Sequence, residues 1–212
     1  MLKAVIFDMD GVLADTEPLH LQAKAEILHS FGICEAEHSA SCGKSNLEFW
    51  EAYIENYDLP IKAQELDERQ CRLVLSYAQM QQLQPSRGLA ELLAALQSRH
   101  IKIAIASSSH SRLVIPMLDL LGIKEYFDLV VCGDRVKNLK PAPDIYKLAL
   151  AGLGVSAENA LCVEDTESGL LAADRAKIGK IAYKNPTTGQ QNLKLADFVV
   201  SQLAEIIEVL NL

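Results

Sequence analysis

Residues 4–11 read AVIFDMDG, four apolar residues followed by two acidic residues and a glycine. A short, continuous apolar run is typical of a strand that is buried on both faces, as in a parallel sheet. Asp8 and Asp10 come directly after this run. The stretch therefore predicts a buried strand that delivers two carboxylates to one edge of a sheet.

Further apolar runs along the chain have the same character. They cover residues 101–106, 127–131, 160–163, 180–183 and 198–200. Helical patterns lie between several of them, such as the leucines at 89, 92, 93 and 96. Strands that alternate with helices favour an α/β fold, here a doubly wound, Rossmann-like parallel sheet.

Residues 14–84 interrupt this alternation, because no strand pattern is found there. A first helix is expected between Pro18 and Gly32. Ser45 followed by Glu48 predicts the capping box of a second helix, and a third is expected from about residue 65 to 82. We therefore expect an all-helical cap over residues 15–84, inserted after the first strand, and an α/β core of residues 1–14 and 85–212. The expected apolar faces of the second and third helices are Leu47, Trp50, Ile54 and Tyr57, and Leu66, Leu73, Tyr77 and Met80.

The overall composition argues against several classes of protein. Twenty basic and 28 acidic residues give a net charge of −8, which disfavours a nucleic-acid-binding surface. No apolar run reaches 18 residues, the five cysteines form no C-x-x-C pair, and Asp8 comes too early for a secretory signal. We expect a cytoplasmic monomer or weak dimer without nucleic-acid or membrane partners.

Polar residues directly follow three of the predicted strands, and another polar residue lies in the loop after a fourth strand. In an open parallel sheet, ligands bind beyond the carboxyl ends of the strands, so these side chains are expected to converge. They are Asp8 and Asp10, Ser107 and Ser108, Lys140, and Glu164 and Asp165.

These residue types suit phosphoryl transfer. Asp8 and Asp165 offer the carboxylate ligands that Mg²⁺ prefers. Ser107, its neighbouring backbone N–H groups and Lys140 supply donors for phosphate oxygens, although serines 107–109 could equally cap the next helix. Asp8 could attack phosphorus while Asp10 serves as acid and base.

The same residues resemble a known family. In order, Asp8-x-Asp10-Gly11, Ser107, Lys140-Pro141 and Glu164-Asp165 resemble the four motifs of the haloacid dehalogenase superfamily, over nearly the whole chain. Residues 7–17 and 164–169 are similar to its branch containing beta-phosphoglucomutase and small sugar-phosphate phosphatases.

The resemblance implies a role for each motif residue. Asp8 would be the nucleophile that forms a phosphoaspartate, and Asp10 would protonate the leaving group and then activate water. Mg²⁺ would be held by Asp8, the backbone carbonyl of Asp10 and Asp165, with Glu164 beside it. Ser107 and Lys140 would hold the phosphoryl oxygens. Ser108, which follows Ser107, is a further candidate for phosphate binding.

Residues of the predicted cap are candidates for contact with the substrate. Thr16 follows the first strand and could touch the leaving group or simply begin a helix. His20 could face the substrate or lie on a helix surface. Lys44 and Asn46 could reach a substrate anion or remain in solvent.

The choice of reaction depends on two positions. Family dehalogenases and phosphonatases lack an acid at the position of Asp10, so Asp10 favours phosphate-ester chemistry. Glucose-type mutases carry an arginine in the cap loop where this chain has Asn46. We therefore expect a Mg²⁺-dependent phosphatase of small phosphorylated metabolites, with sugar phosphates as candidate substrates. The alternatives are a hexose-phosphate mutase and a non-catalytic protein that binds phosphate ligands.

Overall fold

A computed structural model describes residues 1–33 and 45–212, and these divide into two compact units. One unit comprises residues 1–15 and 83–212, and the other comprises residues 16–82. The bounds expected from the sequence, after residues 14 and 84, lie within two residues of these.

The larger unit is built on one parallel sheet in the strand order β3-β2-β1-β4-β5-β6. The strands are β1 (Ala4–Phe7), β2 (Lys102–Ser107), β3 (Leu129–Cys132), β4 (Ala160–Glu164), β5 (Gly179–Tyr183) and β6 (Phe198–Val200). Every neighbouring pair is parallel. The predicted parallel α/β fold is confirmed, and the strand order reverses between β1 and β4, where such folds bind ligands.

The bounds of β3 differ from the expected run of 127–131. A short 3₁₀ turn occupies Lys124–Tyr126, and the Asp128 carboxylate accepts the backbone N–H of Ile103 at 2.8 Å. Phe127 therefore precedes the strand, although its ring packs edge-on against Phe7 at 6.4 Å. The apolar run identified the strand, but Phe127 and Asp128 precede its first residue, Leu129.

Helices flank this sheet. They are α4 (Leu89–Ser98), α5 (Ser111–Leu120), α6 (Asp144–Leu153), α7 (Glu167–Arg175) and α8 (Glu205–Leu210). Ala4 and Ile6 of β1 share a buried apolar cluster with Tyr146 and Ala149 of α6 and Ala172 of α7. All four residues of β1 are buried, because the central strand of a parallel sheet is covered on both faces.

The start of α5 decides between two expectations for serines 107–109. The N-cap residue is His110, whose Nδ1 accepts the backbone N–H of Arg112 at 3.1 Å. Asp134 also accepts the Ser111 backbone N–H at 2.8 Å. The idea that the serine run caps this helix is therefore wrong, and the hydroxyls of Ser107 and Ser109 make other hydrogen bonds.

The described part of the smaller unit consists of three helices, α1 (Glu17–Ser30), α2 (Asn46–Tyr57) and α3 (Ala63–Met80). The predicted capping box is confirmed at the start of α2. The Glu48 backbone N–H donates to Ser45 Oγ at 3.2 Å, and the Ser45 backbone N–H donates to Glu48 Oε2 at 2.7 Å.

The core of this unit differs in part from the predicted apolar faces. Trp50 and Leu66 are fully buried as expected, but Phe49 is buried too and joins them. Tyr57 is 43% exposed and Met80 is 75% exposed, so their assignment to buried faces was wrong. Each is the last residue of its helix.

A buried polar chain crosses the same unit. Trp50 Nε1 donates to Gln70 Oε1 at 2.8 Å, and Gln70 Nε2 lies 2.9 Å from Nδ1 of His20. Because an indole nitrogen only donates, Gln70 must accept with its oxygen and donate with its nitrogen. A neutral His20 therefore carries its proton on Nε2.

Two expectations from the sequence, on membrane spans and on cysteines, can be compared with the described residues. No helix in residues 1–33 and 45–212 is long and apolar enough to cross a membrane. Cys71, Cys132 and Cys162 are buried free thiols, whereas Cys34 and Cys42 lie outside the described residues.

The capping box of α2 makes a prediction about stability. Ser45→Ala removes the acceptor for the Glu48 backbone N–H, so we expect a loss of about 1 kcal/mol in the free energy of unfolding. Denaturant unfolding followed by Trp50 fluorescence would measure it, since Trp50 is the single tryptophan and lies on α2. Ser45→Thr keeps the hydroxyl and should stay close to wild type. An equal loss in both variants would contradict the capping role.

Candidate active site

The nucleophile candidate Asp8 stands at the carboxyl end of β1, beside the end of β4. Phe7 pairs with Val163 in the sheet, and the Asp8 backbone N–H donates to the Val163 carbonyl at 3.0 Å. The residue after Val163 is Glu164. The register of two neighbouring strands therefore places the carboxylates of Asp8 and Glu164 at the same edge.

Lys140 joins these two carboxylates. Its Nζ lies 2.5 Å from Asp8 Oδ1 and 2.6 Å from Glu164 Oε1, with only 6% of the lysine side chain exposed. The Tyr146 hydroxyl donates to the same Glu164 oxygen, and Nζ lies 5.4 Å from the centre of the Tyr146 ring. Glu164 is thus held by two donors, one charged and one neutral.

Three carboxylates form a candidate metal centre. Asp8, Glu164 and Asp165 each offer an oxygen, and these oxygens lie within 4.8 Å of one another. Glu164 Oε2 and Asp165 Oδ1 are buried and have no hydrogen-bond partner among the described residues. A buried, unpaired carboxylate oxygen is costly, and a hard cation with an affinity for oxygen would satisfy both atoms. The residues present therefore fit Mg²⁺.

The electrostatics of the cluster agree with this reading. Burial raises the pKa of Asp8 well above its ordinary value, although Lys140 opposes the shift. Burial also raises the pKa of Asp165 to about 7. Burial acts to lower the pKa of Lys140, but Asp8 and Glu164 outweigh it and the net shift is upward. One permanent lysine charge faces three carboxylates, so the site attracts a cation.

Asp10 and the serines after β2 form a second group. Ser109 Oγ donates to Asp10 Oδ2 at 2.6 Å, and Ser107 Oγ accepts the backbone N–H of Ser109 at 3.1 Å. The Ser108 hydroxyl is buried without a hydrogen-bond partner among the described residues. The Asp10 carboxylate is outside the cluster of three that could share a metal ion.

Two glycines make room for the carboxylates. A Cβ atom on Gly169, in the first turn of α7, would overlap the carboxyl group of Glu164. Gly11 has a φ of +75°, and a Cβ atom there would overlap the carboxyl group of Asp165. At both positions a larger side chain would displace a candidate metal ligand.

Some of these residues were missed by reasoning from sequence. Tyr146 has the spacing of a core residue on a helix, and its pattern gives no sign of the hydroxyl's partner. Thr188 donates to Asp165 Oδ2 at 2.6 Å from a loop that no motif marks. Ser109 was part of the serine run but was not assigned to the site.

The cap candidates belong to the unit of residues 16–82. Thr16 is fully buried and is the N-cap residue of α1, without a side-chain capping bond. His20 is 6% exposed, so its placement on a helix surface is wrong. Asn46 is the first residue of α2 and is partly exposed. Lys44 lies outside the described residues. Contact of these residues with a substrate stays a prediction.

Comparison with known proteins identifies relatives across the whole chain. A family model described as haloacid dehalogenase-like hydrolase matches residues 5–183. A phosphorylated carbohydrates phosphatase from Thermotoga maritima is 34% identical over 216 residues, covering 99% of this chain and 98% of the relative. The fructose-1-phosphate phosphatase YqaB of Escherichia coli is 31% identical over 174 residues, covering 81% of this chain and 91% of the relative.

A solved structure agrees with the fold. The crystal structure of CbbY from Rhodobacter sphaeroides in complex with phosphate matches with a TM-score of 0.89 at 27% identity, over 100% of both chains. Together these matches confirm the family predicted from the motifs.

The close packing at Gly169 predicts the direction in which Gly169→Ala changes the free energy of unfolding. Alanine in a helix is ordinarily more favourable than glycine by about 1 kcal/mol. Gly169→Ala should instead lower the free energy of unfolding, and it should reduce kcat/KM at least about tenfold, because Glu164 must leave Lys140 and Tyr146. Denaturant unfolding and steady-state kinetics would measure both.

The neighbouring Ser168→Ala on the same helix is the matched control and should retain wild-type activity. A Gly169→Ala variant that is more stable than wild type and fully active would contradict the close packing.

Proposed function

Because the chain belongs to the haloacid dehalogenase-like hydrolase family, we propose that it is a Mg²⁺-dependent phosphatase of small phosphorylated metabolites, sugar phosphates in particular. The observation that carries this proposal is the buried ion pair of Lys140 with Asp8 and Glu164. Beside it lie two carboxylate oxygens that have no hydrogen-bond partner in the part of the chain that the structure describes. This arrangement combines a nucleophile, a fixed positive charge and a cation site.

Asp8 is the proposed nucleophile. Its carboxylate oxygen bonds to phosphorus while the ester oxygen of the substrate leaves, which gives a phosphoaspartate and an alcohol. Lys140 is 2.5 Å from Asp8 and stays protonated, since the net shift of its pKa is upward. Its charge therefore offsets the negative charge of the phosphoryl group as it approaches the Asp8 carboxylate.

Asp10 is the proposed acid and base. Its carboxyl donates a proton to the departing ester oxygen in the first half-reaction. In the second it takes a proton from water, whose oxygen bonds to phosphorus as the aspartyl–phosphate bond breaks. The bond from Ser109 Oγ to Asp10 Oδ2 supports this role, because it fixes the direction of the carboxyl group.

The metal would be held by Asp8, Glu164 and Asp165, and by the Asp10 backbone carbonyl that the family resemblance implies. When bound, Mg²⁺ supplies Lewis-acid stabilisation of the negative charge on the phosphoryl oxygens. Ser107, Ser108 and Lys140 are the proposed phosphate contacts. The Ser108 hydroxyl supports this assignment, since it is buried and no residue in 1–33 or 45–212 accepts a hydrogen bond from it or donates one to it.

The relatives support the proposed substrate class. The Thermotoga maritima relative is named for phosphorylated carbohydrates, the Escherichia coli relative for fructose 1-phosphate, and the CbbY structure contains phosphate. All three are consistent with a site for small phosphate esters. Location in the cytoplasm, as a monomer or weak dimer, remains a prediction.

A substrate panel tests the proposed activity. We expect phosphate release from a few related sugar phosphates in the presence of Mg²⁺ and its loss with EDTA, because the carboxylate cluster needs a cation. The panel would also contain phosphoglycolate, nucleotides and beta-glucose 1-phosphate, the last monitored for formation of the 6-phosphate.

The panel separates the alternatives. Isomerisation of beta-glucose 1-phosphate without phosphate release would favour a mutase. Release that persists in EDTA would contradict the metal requirement. No reaction with any compound, together with measurable binding of phosphate esters, would favour a non-catalytic binding protein.

Replacement of the nucleophile gives the most direct test of the reaction path. Asp8→Asn should lower kcat by at least about 1,000-fold, because an amide cannot form the phosphoaspartate. The melting temperature should remain near that of wild type, since the side chains are similar in size. Asp119→Asn, on the exposed surface of α5, is the control and should be fully active. Activity that survives in Asp8→Asn would show that Asp8 is not the nucleophile.

A further inference from the structure

The loop after β5 contacts the candidate metal centre through Thr188. Its hydroxyl donates to Asp165 Oδ2 at 2.6 Å, whereas Asp165 Oδ1 is buried without a hydrogen-bond partner among the described residues. Asp165 is only 3% exposed. The threonine bond therefore distinguishes two oxygens that are chemically equivalent in a free carboxylate.

The same loop is fastened to the segment that follows Asp8. Asn185 is buried, and its Nδ2 donates to the Gly11 carbonyl at 2.9 Å. Its Oδ1 accepts the Thr187 backbone N–H at 2.9 Å, and the Thr187 hydroxyl donates to Asp15. These bonds hold the loop on both sides of the turn, so Thr188 has a defined position relative to Asp165.

Gly11 closes the other side of the Asp165 carboxyl. A Cβ atom on Gly11 would overlap this carboxyl and would lie 3.2 Å from Thr188 Oγ1. The carboxyl is thus confined between the glycine backbone and the threonine hydroxyl. A partial rotation of this carboxyl about its Cβ–Cγ bond would break the hydrogen bond with Thr188.

We propose that Thr188 is a positioning residue, which holds Asp165 by Oδ2 so that Oδ1 remains available to the cation. This inference rests on the proposed metal-dependent function. A partner that orients a ligating carboxylate contributes to metal affinity without touching the metal. A neutral hydroxyl suits this task, because it orients Asp165 without placing a second positive charge beside the cation site. Lys140 instead pairs with Asp8 and Glu164.

The test is a calorimetric titration of MgCl₂ into the purified protein without substrate. Thr188→Val keeps the shape of the side chain and removes the hydroxyl, so its Kd for Mg²⁺ should rise about tenfold or more. Thr188→Ser restores the hydroxyl and should return the Kd to within about threefold of wild type. Phosphatase activity should reach half its maximum at a correspondingly higher Mg²⁺ concentration in Thr188→Val.

Thr187→Val is the matched control. It removes a hydroxyl that binds Asp15 rather than Asp165 and leaves the bonds of Asn185 to the Gly11 carbonyl and to the Thr187 backbone N–H in place. Its Kd for Mg²⁺ should therefore stay within about threefold of wild type. The melting temperature of each variant, with and without Mg²⁺, reports separately on folding. If Thr188→Val does not fold, Thr188→Ala supplies the same comparison at the same position.

The possible outcomes distinguish a failure of the proposed metal-dependent function from a failure of the proposed role of Thr188. A wild-type protein that binds no Mg²⁺ would overturn the proposed metal-dependent function. Tight binding by wild type and by Thr188→Val alike would overturn the role of Thr188 alone. An equal loss in Thr187→Val and Thr188→Val would assign the effect to general loosening of the loop and would also overturn it.

Discussion

The contact of Lys140 with Asp8 and Glu164 is the interaction on which the site depends. A buried carboxylate is expensive, and two of them next to each other would favour protonation or unfolding. The lysine charge compensates two of the carboxylates directly, at 2.5 and 2.6 Å. Asp165 has no such partner and keeps one oxygen without any donor among the described residues. The resulting excess of negative charge favours a cation at the three carboxylates of Asp8, Glu164 and Asp165.

The backbone makes this concentration of charge possible. Parallel pairing of β1 with β4 aligns Phe7 with Val163, so Asp8 and Glu164 follow at the same level. Gly169 and Gly11 then leave space that a Cβ atom would fill. The site is therefore a property of the central strands and of two close backbone approaches. The flanking helices contribute through Tyr146, whose ring and hydroxyl both reach the charged group.

The loop of Asn185 and Thr188 connects parts of the core unit that are far apart in sequence. It binds the Gly11 carbonyl on one side and the Asp165 carboxylate on the other. One loop thus contacts both the segment that follows Asp8 and the end of β4. The helical unit contains a buried hydrogen-bond chain of its own, in which Gln70 links Trp50 to His20.

The sequence by itself determined the approximate positions of the six strands, the insertion after the first strand, the capping box at Ser45 and the family. These features can be read from short segments and from their order along the chain: apolar runs, turn residues, and acidic or basic residues at strand ends. Tertiary structure alone decided that Tyr57 and Met80 are exposed, that His110 caps α5, and that Ser109, Tyr146 and Thr188 bind the site carboxylates. Thr188 lies 23 residues beyond Asp165 in the chain, and Tyr146 lies 18 residues before Glu164. Hydrogen bonds over such separations depend on loop path and strand register, which no periodicity in the chain records.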